Sequence, residues 1–169
     1  MNDRIQINIS PEHDFDDRED TDVLSPSGLV IDTSGDIWRL GADGVVAWDD
    51  FRRVDRRILS ACRSFIRHLI RNNALTYTIG QHKFMKAMAK EPFVNELNRI
   101  IERDGIFDRQ CYELFKRHVR KTVTTDSETS YTGAFVRWYL WATDAGFELF
   151  DPDVASQFES LRGCVRTLT

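Results

Sequence analysis

Apolar residues follow two different periods along this chain. Between residues 28 and 48 they come in short runs, at 29–31, 37–40 and 45–48. The turn-forming sets Asp32-Thr33-Ser34-Gly35-Asp36 and Ala42-Asp43-Gly44 separate these runs. That arrangement predicts a two- or three-stranded antiparallel element. So small a sheet is marginal in water by itself, so it must pack on the rest of the chain, with Trp38 and Trp48 as the natural contacts.

From residue 50 the period becomes helical. Across residues 50–72, Phe51, Val54, Ile58, Cys62, Phe65, Ile66 and Leu69 fall on one half of a helical wheel. Arg52, Arg53, Arg56, Arg57, Arg63, Arg67 and Arg71 fall on the other half, within a sector of roughly 140°. Asp55 is the one acid inside the run, and it sits on the apolar side. A second helix is expected over residues 76–90, capped by Thr76 or Thr78, with Phe84, Met85 and Met88 inward and Lys83, Lys86 and Lys90 outward. A third runs over 92–103 on Phe93, Leu97, Ile100 and Ile101, and Asp104-Gly105 stops it.

Asp108 caps a fourth helix to residue 122 that repeats the first one's partition. Arg109, Lys116, Arg117, Arg120 and Lys121 occupy one side, and Cys111, Leu114, Phe115 and Val119 the other. A loop is expected at 124–129. Then comes an aromatic helix with Tyr131, Phe135, Trp138 and Ala142 on one face, flanked by Tyr139 and Trp141 and ended by Gly146. Ring density of this kind reads as core, because single-strand platforms intersperse bases with their rings and only Arg137 does so here. Asp151-Pro152 opens a last helix through Phe158 and Leu161. The fold class is mainly α: a bundle of five to six helices with a small N-terminal antiparallel β element.

Charge changes the picture more than composition does. The chain has 169 residues and a net charge of −4, but residues 1–50 hold 13 acids and 3 bases whereas residues 51–125 hold 7 acids and 17 bases. The local field of the middle segment is strongly positive despite the acidic total. Seven guanidinium groups along one helix repel one another unless water or an anion lies against them. Their planar fork suits phosphate oxygens and base edges. The expected partner is double-stranded DNA, with Arg52, Arg53, Arg56, Arg57, Arg63, Arg67, Arg71, Lys83, Lys86, Lys116, Arg117, Arg120 and Lys121 as contacts and self-association on DNA possible. Residues 1–27, with acids at 14, 16, 17, 19, 20 and 22, read as a flexible tail able to compete for that surface. The domain division is therefore 1–27 tail, 28–48 β element and 49–169 helical DNA-binding domain.

No catalytic constellation is visible. There is no phosphate-binding glycine loop, HExxH or GxSxG. His68, His82 and His118 lie singly on three predicted helices, and spacing gives them no shared metal site. Cys62, Cys111 and Cys164 are far apart and odd in number, which reads as reduced cytoplasmic thiols. No apolar run approaches a membrane span, and no signal peptide is visible. No cofactor and no small-molecule substrate are expected.

The run FVRWYLWATDAGFELFDPDVASQFESL resembles the last part of the core-binding region of phage-type integrases, the tyrosine recombinases. The matching positions are Arg137, Trp138, Trp141, Ala142, Gly146, Asp151 and Pro152. Residues 35–40 followed by a long helix are similar, more loosely, to the N-terminal part of some bacterial integrases. The resemblance implies a SAM-like helical domain that clamps one face of duplex DNA during site-specific recombination and DNA integration. The family's catalytic set does not map here: His118-Val119-Arg120 has the wrong spacing, and no Tyr follows Tyr139. The chain would then be the non-catalytic part of a recombinase. The alternatives are a protein-interaction module that offers the arginine face to an acidic partner, or a DNA-binding regulator.

Overall fold

A computed structural model of the chain describes residues 21–168, with side chains through Ser160. The acidic run at residues 12–20, and with it most of the expected tail, lies outside the described residues. The described part is mainly helical. It contains six α-helices: α1 Arg56–Asn72, α2 Leu75–Met85, α3 Phe93–Asp104, α4 Arg109–Thr122, α5 Thr125–Asp144 and α6 Pro152–Leu168. Two antiparallel hairpins precede them, β1 Asp22–Leu24 with β2 Val30–Asp32 and β3 Ile37–Arg39 with β4 Val45–Ala47.

The hairpins correct two expectations. Residues 21–27 belong to the fold, not to a tail: Val23 pairs with Ile31, and Val23 and Ser25 are buried. A three-residue strand carries too little pattern to be seen without its partner. The second correction concerns residues 32–36, which join the two hairpins instead of turning within one. The outward positions Leu24, Val30, Ile37 and Val45 are exposed although apolar, so inside and outside alternate without a matching change in polarity.

Helix α1 begins at Arg56, six residues after the predicted start. Asp55 accepts a hydrogen bond from the Arg57 amide at 2.8 Å and caps it. The acid that looked misplaced on the apolar side of the wheel is the cap. Before it, Asp49–Phe51 forms a 3-10 turn that drops Phe51 against Trp48, ring centroids 5.0 Å apart. Arg52 and Arg53 therefore precede the helix. The apolar face itself is as the period predicts: Ile58, Cys62, Phe65, Ile66 and Leu69 are all buried.

The expected threonine cap of α2 is also corrected. Ala74 occupies that position with no side-chain hydrogen bond, and Thr78 is buried, donating to the Ala74 carbonyl at 3.3 Å. The loop expected at 124–129 is the first turn of α5, where Asp126 and Glu128 complement the positive end of the helix. Other boundaries agree. Asp108 accepts from the Gln110 amide at 2.9 Å, and Asp151 from the Asp153 amide at 2.9 Å. Gly105 ends α3 at φ 70°, a left-handed value that costs a residue with a Cβ.

Helix α5 lies at the centre of the packing. Phe135, Trp138, Tyr139 and Ala142 are buried among Phe107, Tyr112, Phe115, Phe150 and Phe158. The Tyr139 hydroxyl donates to the Phe107 carbonyl and accepts from the Asp151 amide, joining the segment before α4 to the start of α6. Burial pushes its pKa up, so the hydroxyl keeps its proton and the bond it donates. Among the described residues no helix is long and apolar enough to cross a membrane.

Candidate nucleic-acid interface

The structure divides the arginines of α1 by job. Arg67 is 2% exposed. Its Nε donates to the Thr33 hydroxyl at 2.9 Å and an NH2 group to the Thr33 carbonyl at 3.0 Å, while the guanidinium lies 5.0 Å from the Trp38 ring centroid. Arg63 reaches the same place. It donates to the Gly35 carbonyl at 3.4 Å, pairs with Asp36 at 3.5 Å and sits 5.1 Å from the Trp38 ring. These two side chains fasten the hairpins to the helix bundle. The expectation that Arg63 and Arg67 face a phosphate backbone is corrected for Arg67, which is enclosed, and weakened for Arg63, whose guanidinium is engaged by residues 35–36.

The other predicted contacts are scattered. Arg57 closes on Asp55 at 3.2 Å, and Arg53 forms an ion pair with Glu91. Arg52, Arg56 and Arg71 are exposed. On α4, Arg120 pairs with Glu128 at 3.1 Å, and Lys116 lies 5.3 Å from the Tyr112 ring. Surface pairs of this kind contribute little to stability, but they lower the charge left for a ligand.

What the fold does bring together is a lysine-lined recess. It has a volume of about 410 Å³ and is lined by Lys83, Lys86, Lys90, Glu91, His118, Thr122 and Tyr131, with Ala87 and Val123. A smaller recess of about 170 Å³ continues past His118 to Arg117, Lys121 and Glu96. Lys86 pairs with Asp50 at 3.5 Å, and Glu91 is held by Arg53. Lys83, Lys90 and Lys121 have no ion pair among the described residues. Asn98 donates to the Arg53 carbonyl at 2.6 Å, which ties the segment before α1 to the rim. The result is a cationic edge assembled from α2, the turn at residues 86–90, α4 and the segment before α1. Lys83, Lys86, Arg117 and Lys121 are among the predicted contacts. Lys90 and His118 are not, and the one signal for Lys90 is its spacing of four from Lys86 after a step of three from Lys83.

The histidines have separate environments. His68 lies against Trp141 and His118 against Phe93, at 5.6 and 5.7 Å between ring centroids. His82 is packed beside Trp48 at 4.9 Å and places Nε2 2.9 Å from the Ala47 carbonyl. A carbonyl only accepts, so Nε2 carries the proton. No group of three or more metal-binding side chains occurs among the described residues. Cys62 and Cys111 are free and buried, and burial pushes the Cys111 thiol up to about 12.

Burial lowers the pKa of His82 from 6.5 to about 4, with the Ala47 hydrogen bond and Asp50 opposing and Lys86 assisting. An unfolded ring takes up a proton near pH 6.5 that the folded ring refuses until about pH 4. The stability contributed by the neutral ring is present above pH 6.5 and is lost as pH falls toward 4, by on the order of 3 kcal/mol. His68 and His118 are also lowered, so they act in the same direction. Thermal unfolding should therefore fall in midpoint between pH 7 and 4, and His82→Gln should flatten that dependence. A wild-type midpoint independent of pH over this range would refute the assignment.

No protein-family model, no curated protein and no solved structure matches this chain.

Proposed function

We propose that this chain binds duplex DNA through the lysine-lined edge formed by Lys83, Lys86, Lys90, Arg117 and Lys121. The observation that carries this reading is the convergence of cations from separate elements on two adjoining recesses that share His118 and Thr122. Of the carboxylates there, Glu91 is paired with Arg53, and Asp50 is paired with Lys86, while Glu96 lines the smaller recess beside Arg117 and Lys121 and is outnumbered by the cations. Lysines whose ammonium groups lack protein partners are held apart by water and counterions, and a phosphate backbone displaces those counterions favourably. Exposed Arg52 and Arg56 extend the same role along the segment that starts α1.

The finer part of the reading is the non-catalytic DNA-binding part of a phage-type integrase, serving site-specific recombination in the cytoplasm. Its support is the sequence likeness over residues 131–161. Two of the residues behind that likeness, Trp138 and Ala142, are wholly buried. A third, Arg137, donates to Gln81 at 3.2 Å and lies 5.9 Å from the Tyr77 ring. In this chain Trp138 and Ala142 belong to the core, and Arg137 joins α5 to α2. The DNA reading stands on the recess, the recombinase reading on the likeness.

Binding to duplex of mixed sequence should weaken linearly on a log-log plot against salt, with a slope of about −0.9 for each phosphate engaged. Lys83→Gln with Lys121→Gln should reduce the steepness by about 2 and weaken all sequences alike. Absence of duplex binding at low salt would end the proposal. Duplex binding that persists undiminished at high salt would contradict the phosphate contacts assigned to these cations.

A further inference from the structure

The recess around His118 has features that a backbone-contact surface does not need. His118 is 8% exposed, yet its ring has no hydrogen-bond partner among the described residues. Both recesses open onto it. Burial lowers its pKa, and Lys121 and Lys90 add to that against the opposing carboxylate of Glu96. A neutral imidazole carries one N–H donor and one acceptor nitrogen, and both remain open to a ligand entering from either recess. Thr122 stands beside it with its hydroxyl turned to the His118 carbonyl at 3.0 Å. Across the recess the Tyr131 ring is fixed against Phe84 at 4.8 Å, and its hydroxyl has no partner among the described residues.

We propose that this recess is a phosphomonoester site. Its donors are the ammonium groups of Lys83 and Lys90, the His118 ring N–H and the Tyr131 hydroxyl, with Lys121 in the adjoining recess on the other side of His118. A terminal phosphate carries roughly −1.5 to −2 charges and three acceptor oxygens near pH 7, whereas a backbone phosphodiester carries a single charge. Two lysines without ion pairs in the recess, with Lys121 adjoining it, match the first better than the second. The volume of about 410 Å³ leaves room for the unit that bears the phosphate as well. The source we assign is the 5′-terminal phosphate of a DNA strand; that assignment rests on the duplex-binding reading, while the phosphate site itself does not.

Nuclear magnetic resonance of the full chain at pH 7 and constant ionic strength tests both parts. Inorganic phosphate should shift the His118 ring and Thr122 amide signals saturably, and chloride should not. A duplex bearing a 5′-phosphate should bind tighter than the same duplex with a 5′-hydroxyl by about tenfold, the weight of one charge-assisted contact. Lys90→Gln with Lys121→Gln, both at exposed positions, should erase that difference while leaving the melting temperature unchanged. Equal shifts with phosphate and chloride would overturn the site. Equal binding of both duplexes with His118 unperturbed would overturn it too and leave duplex binding intact. Saturable phosphate binding without binding of either duplex would uphold the site and overturn the strand-end source.

Discussion

Arg67→Ala should destabilise the fold by about 3 kcal/mol or more, although the residue lies on the charged side of an amphipathic helix. The substitution strips the Thr33 carbonyl and hydroxyl of the donors that reach them at 3.0 and 2.9 Å, and it opens a cavity beside Trp38. Arg67→Met separates the two effects. It keeps most of the stem volume, so its cost should be chiefly that of the unpaired Thr33 groups, about 1 to 3 kcal/mol. Arg56→Ala is the internal control, because Arg56 shares the stripe but is exposed, and surface changes of this kind stay within about 0.5 kcal/mol. Denaturant unfolding followed by tryptophan fluorescence reads all three. Equal losses for Arg67→Ala and Arg56→Ala would show that the hairpins do not depend on the buried guanidinium.

Phe135→Ala is the second large effect, with an expected loss of about 3 to 5 kcal/mol. Phe135 is 1% exposed and stacks on Phe115 at 4.8 Å, with Tyr112, Phe107 and Trp138 at 5.4, 5.6 and 5.7 Å. Removing it breaks ring contacts to α4, to the segment before α4 and to its own helix at once. Domains of ordinary stability have roughly 5 to 15 kcal/mol in hand, so this variant should melt far lower or fail to accumulate folded. Phe135→Leu preserves most of the volume and should recover more than half of the loss. A Phe135→Ala protein that unfolds at the wild-type denaturant midpoint would contradict the placement of α5 at the centre of the core.

The parts of the fold legible in the sequence were those governed by local period and local caps. Ile58, Cys62, Phe65, Ile66 and Leu69 recur at helical spacing because one face of α1 meets the core, and all five are buried. Asp108 and Asp151 cap helices two residues from the amides they accept, so their roles could be read without knowing the fold. The hairpin pairing was not legible. Val23 meets Ile31 across a turn, and each strand has only three residues, too few for alternation to register.

The candidate site was legible only in part. A helical wheel separates Arg from apolar residues but does not say what lies against the polar side. Arg67 is buried because Thr33, 34 positions earlier, supplies oxygens and Trp38 supplies a ring face, a long-range arrangement with no local signature. The lysine recess arises in the same way. Residues 83–90 and 118–122 meet only after α3 has turned the chain back, which is why the recess has no counterpart in the most conspicuous charge run.

If duplex DNA lies on the lysine edge while Arg63 and Arg67 serve the fold, the lysines should be shielded when DNA is bound. Lysine acetylation read by mass spectrometry, with and without saturating duplex DNA at low salt, tests it most directly. Lys83, Lys90 and Lys121 should become protected by several-fold while Lys116, beside Tyr112, changes little. Unchanged reactivity at Lys83, Lys90 and Lys121 in the presence of bound duplex would contradict it.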